Sequence, residues 1–325
     1  MTSLTSNGKK RGVHNGLVMP PFSIRTLELL RVVIETRSVT ATAERLHVSQ
    51  PAVSKAVKQA EDRLGFPLFL RERGRLVPTL DARVLLPEII RAATAVDQVS
   101  RLAEDLRSLK TGTVSLAAAP ALGNTLAAQA IARFHATSPG VQIIIQTMFN
   151  HEVVEAVADH RVDLGLVLTP VEDGHTVARD LCTAALVCVM PREHPLAYRK
   201  VIGPREMAAF PLISFSRHQP IGALIEDAFR AASIRRVIAI EVTQSWTACA
   251  LVQSGAGIAV TDGFTLLGGI PDGLTVRPFE PASRIAGRLL LSVDRPASRH
   301  AEAFVLALLS VVQDEIATGR IGETE

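Results

Sequence analysis

Residues 38–70, SVTATAERLHVSQPAVSKAVKQAEDRLGFPLFL, confine the fold more tightly than any other part of the chain. A short helical pattern runs from about residue 40 to 46, where Ala41 and Ala43 are small enough for another helix to approach closely. His47, Val48 and Ser49 then turn the chain, and Ser49 is placed to cap a third helix whose first turn holds Pro51, where a missing N–H costs nothing. Upstream, Ile24, Leu27, Leu30 and Ile34 recur at helical spacing behind Ser23, which predicts a helix over 23–36 with a core-facing stripe.

In the third helix Val53, Ala56, Val57, Ala60 and Leu64 point to one side. Gln50, Ser54 and Lys58 form the opposite stripe at i, i+4 and i+8, flanked by Lys55. Only that polar side is free to enter a groove. Glutamine pairs with adenine edges, serine with either base type, and lysine with guanine or phosphate. Gly65 closes the helix, and Phe69, Leu70, Leu76 and Val77 flank an Arg71-Glu72-Arg73-Gly74-Arg75 tip. That pattern predicts a β-hairpin wing whose three arginines reach phosphates or a narrow minor groove. Together these elements make a winged helix-turn-helix.

The charge distribution agrees with a phosphate-binding head. Residues 1–80 carry 13 Lys and Arg against 6 Asp and Glu, and the remainder 22 against 26. With 47% hydrophobic residues in 325, the chain has enough apolar material for more than one buried core. Cys182, Cys188 and Cys249 stand apart without a C-x-x-C or a histidine at ligand spacing, so neither a metal site nor a disulfide framework is expected. They fit buried small hydrophobes in a reducing cytoplasm. No run of eighteen uncharged apolar residues argues for a membrane span. Residues 1–21, with Lys9, Lys10 and Arg11, are expected to be a disordered leader and not a signal peptide.

Behind the wing, Leu85, Ile89, Ala92, Val96, Val99, Ala103 and Leu106 alternate steps of four and three. A repeat of 3.5 residues over three heptads calls for a second helix, and the same helix from another copy is the expected partner. Pro87 falls in the second turn, where a bend is expected. The boundaries expected are 22–80 for the head, 81–110 for the linker helix and 111–319 for the body.

The body alternates short apolar strands, at 114–118, 141–146, 163–168, 186–190, 212–215, 237–242 and 258–261, with helical stretches. This predicts parallel sheets covered on both faces, in two α/β lobes. Lobe I is expected at about 113–183 and 288–316, and lobe II at about 184–287. Ligands of such sheets sit beyond the C-terminal strand ends, near helix N-termini. Here those loops hold Pro120 and Ala121, then Ser216 and Arg217, then Ser245, Trp246 and Thr247. Arg217 is suited to a carboxylate, and the hydroxyls to caps or ligand contacts. Trp246, the single tryptophan, either lines the cleft or fills core.

The run AERLHVSQPAVSKAVKQAEDRLGFPLFLRERGRLVPT resembles the N-terminal domain of LysR-type transcriptional regulators. Weaker similarity continues through SPGVQIII, ADHRVDLGLV, REHPLA and LVQSGAGIAV, so the resemblance covers about 22–315. It implies an all-α winged helix-turn-helix, a long linker helix and a two-lobed α/β sensor similar to periplasmic solute-binding proteins. It also implies a homodimer or homotetramer that binds double-stranded promoter DNA and a small-molecule effector, with RNA polymerase as a further partner and no cofactor. By position, Gln50, Pro51, Ser54 and Lys55 fall where such regulators touch bases, and Arg71 and Arg73 fall in the wing. One departure is Thr79-Leu80-Asp81-Ala82, where the family usually has Thr-x-x-Gly, so the junction into the next helix is expected to differ locally. VCVMPREHPLAYRKVIGPREM, LISFSR and SWTACALVQSGAGIAV are most similar to members controlling lysine biosynthesis and opine catabolism. That implies an amino acid or amino-acid conjugate, with Asp262 beside Arg217 to hold a zwitterion; a sensor of aromatic or other organic acids is the alternative.

Two other classes compete. An enzyme would need a nucleophile elbow, an HExxH, a P-loop or a dinucleotide fingerprint, and none occurs. A solute-binding protein without a DNA role would fit the body alone, but not the basic head.

Overall fold

The computed structural model describes residues 22–72, 75–107, 112–168 and 175–324. The chain forms two compact units that divide between Val96 and Asp97. The expected leader lies outside the described residues.

The first unit opens with α1 (Ile24–Thr36), α2 (Val39–Arg45) and α3 (Gln50–Leu64). Ser23 caps α1 by accepting the Thr26 N–H, as its position predicts. Ile24, however, is 62% exposed: Phe22 and Leu27 pack against the head core at this end of α1, and Leu29 and Leu30 are buried further along. Ser49 takes the extended N-cap conformation of α3 without a side-chain bond, and Gly65 ends the helix at φ 81°, where a side chain would be strained. Strands β1 (Phe69–Glu72) and β2 (Arg75–Pro78) then pair antiparallel as the wing. The Glu61 carboxylate accepts the backbone N–H groups of Leu68 at 2.7 Å and Phe69 at 3.1 Å, which ties the wing to the third helix.

Helix α4 (Leu80–Arg107) follows with Pro87 inside it. The departure at Ala82 is accommodated within the head. Thr79 Oγ1 accepts the Ala82 N–H at 3.1 Å and donates to the Pro67 carbonyl at 2.8 Å, while Ala82 is buried with Leu30, Ala60, Leu68 and Leu86. The same cluster corrects part of the expected seam. Ile89 is buried in it and Leu85 packs against it, so these two positions serve the head's own core. Ala92 and Val99 are exposed, Val99 at 69%, and Val96 is half-buried. The side chain of Leu106 lies outside the described residues.

The second unit holds two lobes joined by long strands. Lobe I is built from β3 (Gly112–Ala118), α5 (Pro120–Leu122), a π turn (Gly123–Ala127), α6 (Ala128–Thr137), β4 (Val141–Thr147), α7 (Asn150–Ala158) and β5 (Leu164–Leu168). β3 pairs parallel with β4 and β5. Alternation along β3 explains why its sequence is apolar on both faces: Leu116 and Ala118 face the main core, and Ala117 joins Val153, Ala156 and Val157 of α7.

β6 (Thr176–Pro191) runs out of this sheet into the next. Lobe II then adds α8 (Pro204–Met207), β7 (Leu212–Phe215), α9 (Pro220–Ala231), β8 (Ile238–Val242), α10 (Ser245–Gln253), β9 (Ile258–Asp262) and β10 (Leu274–Pro278). β7 is parallel to β8 and β9, and the far half of β6 lies antiparallel between β9 and β10. β11 (Arg284–Ser292) returns antiparallel to β5 and β6, and α11 (Arg299–Ala317) closes lobe I, where Phe304 meets Phe134 edge-on at 5.8 Å. Among the described residues no helix is long and apolar enough to cross a membrane.

A pH dependence is built into lobe II. His194 Nδ1 accepts the Leu196 N–H at 3.2 Å and its ring packs edge-on against Phe210 at 4.5 Å; burial holds its pKa below the usual 6.5. A depressed histidine favours the neutral ring in the fold, so its contribution is present above pH 6.5 and lost as pH falls through the lower folded value. Thermal midpoints measured from pH 8 down to 5 should fall below about pH 6.5, and less steeply in His194→Gln.

Candidate functional site

The head presents one polar surface. Gln50, Pro51, Ser54, Lys55 and Lys58 of α3 are all exposed, as are Arg71 and Arg75 on the wing strands. Arg73 lies outside the described residues. Ser54, Lys58 and Arg71 line a common groove of about 590 Å3 between the third helix and the wing. Val53 and Ala60 on the opposite side of α3 are buried, so the helix cannot rotate this face inward without exposing its core. The width of an α-helix matches the major groove of duplex DNA, and the side chains free at its first turns are a base-edge reader and cations.

The second unit presents a cleft of about 820 Å3 between its lobes. Its walls are the N-terminal ends of four helical segments: Pro120 and Ala121 of α5, Asn150 and His151 of α7, Pro220 and Ile221 of α9, and Ser245 of α10. Neither α9 nor α10 has a side-chain cap bond, which leaves their first-turn N–H groups for whatever enters. Asp262 is 1% exposed and fully engaged. It accepts Ser245 Oγ–H at 2.7 Å, the Thr265 N–H at 2.8 Å and Thr265 Oγ1–H at 3.1 Å. Its work is therefore to hold Ser245, whose hydroxyl proton is committed to this carboxylate at the cleft wall. On lobe I the Asn150 side chain pairs with the backbone N–H and carbonyl of Leu168, so it fixes the wall and is not free for a ligand. Glu155 and His151, one helical turn apart, are exposed at the cleft, with His151 stacked on Phe149 at 6.0 Å.

Comparison with known proteins settles the family. Residues 24–83 match the family described as "Bacterial regulatory helix-turn-helix protein, lysR family", and residues 107–313 match the "LysR substrate binding domain". The chain belongs to the LysR family. It is 32% identical over 286 residues to the transcriptional activator protein LysR of Escherichia coli strain K12, covering 88% of this chain and 92% of that one. It is 33% identical over 259 residues to the octopine catabolism/uptake operon regulatory protein OccR of Rhizobium meliloti, covering 79% and 85%. In fold it is similar to full-length CbnR solved with its target DNA, at TM-score 0.70 and 18% identity, covering 89% and 100%. As a LysR-type transcriptional regulator it has a DNA-binding helix-turn-helix and an effector-binding domain, and the family is not one of enzymes.

Within that effector-binding domain, Pro120, Ala121, Ser216, Ser245 and Asp262 meet at the cleft. Three expected residues do not. Arg217 turns away at the tip after β7 and lines a separate depression. Thr247 is exposed elsewhere on α10, and Trp246 is half-buried with its Nε1 enclosed, because successive residues of a helix rotate by about 100° and only Ser245 faces Asp262. His218, in the loop expected after the strand at 212–215, lines the cleft, whereas His151, Glu155 and Gln219 are residues that sequence reasoning missed. The spacing of His151 and Glu155 on one face of α7 was visible, but nothing local says that this face meets a second lobe. The three cysteines are buried; Cys182 and Cys188 are pushed up to about 12 and Cys249 to about 11 by desolvation, which removes them as nucleophiles at neutral pH.

Proposed function

We propose that this regulator grips promoter DNA as a homo-oligomer, with Gln50, Pro51, Ser54 and Lys55 at base edges and Lys58, Arg71, Arg73 and Arg75 on the backbone. The observation that carries this reading is the exposure of the whole polar stripe of α3 above a buried apolar one. Ala92, Val96 and Val99 supply the seam for a second α4. Replacing Val96 and Val99 by glutamate should shift the protein to monomer in light scattering and weaken promoter binding by about 100-fold, since half-sites would no longer be gripped together. A persistent dimer would move the partner surface off this helix.

The effector-binding cleft is proposed to take an amino acid or amino-acid conjugate. Two uncapped helix N-termini favour a carboxylate, and Glu155, exposed at the cleft, favours an ammonium or guanidinium group. The similarity to a regulator of octopine catabolism supports the same class. Thermal denaturation of the full-length protein with lysine, other amino acids, octopine or benzoate tests it. A ligand at 100 times its Kd stabilises by about 2.7 kcal/mol, or roughly 5–10 °C. That rise is expected with an amino acid or octopine and not with benzoate; the reverse pattern would overturn the assignment.

A further inference from the structure

The turn Ser216-Arg217-His218 separates the cleft from a second depression of about 550 Å3 on lobe II. Its floor is Arg236, whose side chain is 3% exposed. The guanidinium is fixed by the Glu226 carboxylate at 2.8 Å, the Gly222 carbonyl at 3.1 Å and Ser214 Oγ at 3.4 Å. Gly222 is required here: a Cβ at that position would lie 2.0 Å from the Ser216 carbonyl oxygen, so the first turn of α9 rests directly on the turn that carries Arg217. This brings Arg217 near Arg236. Burial lowers the Arg236 pKa, and the Arg217 charge opposes its protonation further while Glu226 and Glu241 favour it.

The charges around the depression do not balance. Glu226 is taken by Arg236, and Arg230 by Asp227 at 2.7 Å. Arg217 and Arg235 line the depression, are exposed and form no ion pair among the described residues, with Glu241 the remaining acid on the rim. Two free guanidinium groups over a buried third, in a concavity with mostly polar walls, offer forked donors without matching acceptors.

We infer that this depression is a second small-molecule site, separate from the effector cleft, that binds a polyanion between Arg217 and Arg235 above Arg236. The ligand class is a molecule with two or more adjacent negative groups, either carboxylates or phosphates, because a single charge would satisfy one arginine and leave the other facing it. The site does not depend on the identity of the cleft effector.

Isothermal titration of the full-length protein with citrate and, separately, with pyrophosphate, at fixed ionic strength, tests the inference and distinguishes the two chemistries. Saturable binding near one per chain is expected for at least one probe. Arg217→Ala and Arg235→Ala should each weaken it by about tenfold or more, with Arg217→Lys retaining part. Arg205→Ala, which removes an exposed arginine of α8, should leave it unchanged. Absence of saturable binding overturns the site. So does binding indifferent to Arg217→Ala and Arg235→Ala, which would place the anion elsewhere, such as on the basic head. A change of oligomeric state in these variants without anion binding would instead assign the patch to a second copy of the chain.

Discussion

Gln50→Ala should weaken binding to a cognate promoter site by about 5- to 150-fold, the 1–3 kcal/mol carried by a bidentate contact to a base edge. The effect should be confined to specific sites: affinity for unrelated duplex should stay within about twofold, because the lost contact carries sequence information. Lys58→Ala should behave oppositely. Binding to all duplexes should weaken together, and the dependence of log K on log salt should become shallower by about one unit. Neither residue touches a core, since both are exposed on α3, so thermal midpoints should not move. Titrations by fluorescence anisotropy at several salt concentrations separate the two behaviours. Unchanged specific affinity for Gln50→Ala at moderate salt would remove α3 as the base reader.

Asp262→Ala should destabilise the effector-binding domain strongly although it removes no core hydrophobe. The carboxylate is enclosed and accepts from Ser245 Oγ–H, the Thr265 N–H and Thr265 Oγ1–H. Truncation leaves these donors buried without acceptors, at about 1–3 kcal/mol each, so a loss of about 3 kcal/mol is a conservative expectation. For a domain of this size the midpoint should drop by about 6–12 °C. Asp262→Asn keeps an acceptor for Thr265 and should recover much of the stability. Ser245 would still lose its anchor, so the response to effector should remain impaired after stability is regained. Differential scanning calorimetry of both variants checks this; an unchanged midpoint in Asp262→Ala would mean the hydrogen-bond network is not supporting the cleft wall.

The head was legible almost residue by residue because its signals are local: a cap at Ser23, Pro51 in a first turn, Gly65 at a positive φ, and a polar stripe at i, i+4, i+8. The parallel strands of the second unit were legible as apolar runs. The first half of β6, TVARDLCTAA, was not, because its charged and small residues lack such a run. β11 was missed because RIAGRLLLS interrupts its apolar pattern with two arginines and a glycine. These are the strands that join the lobes, so the geometry of the cleft between them stayed hidden. Arg217 shows the consequence: its residue type and its place after a strand suited a carboxylate, but the turn at 217–218 sends it to the far side of the wall. Ile89 shows another. A heptad pattern records which positions are apolar and not which partner covers them, and here the head's own cluster does.

Selection of binding sites from a pool of random duplexes by the purified full-length protein tests the central assignment most directly. Enrichment of two inverted half-sites, centred about 10.5 base pairs or a multiple apart and lost when Gln50, Ser54 and Lys55 are replaced together by alanine, is the predicted result. Equal enrichment by the wild-type and triply substituted proteins, or none by either at low salt, would contradict it.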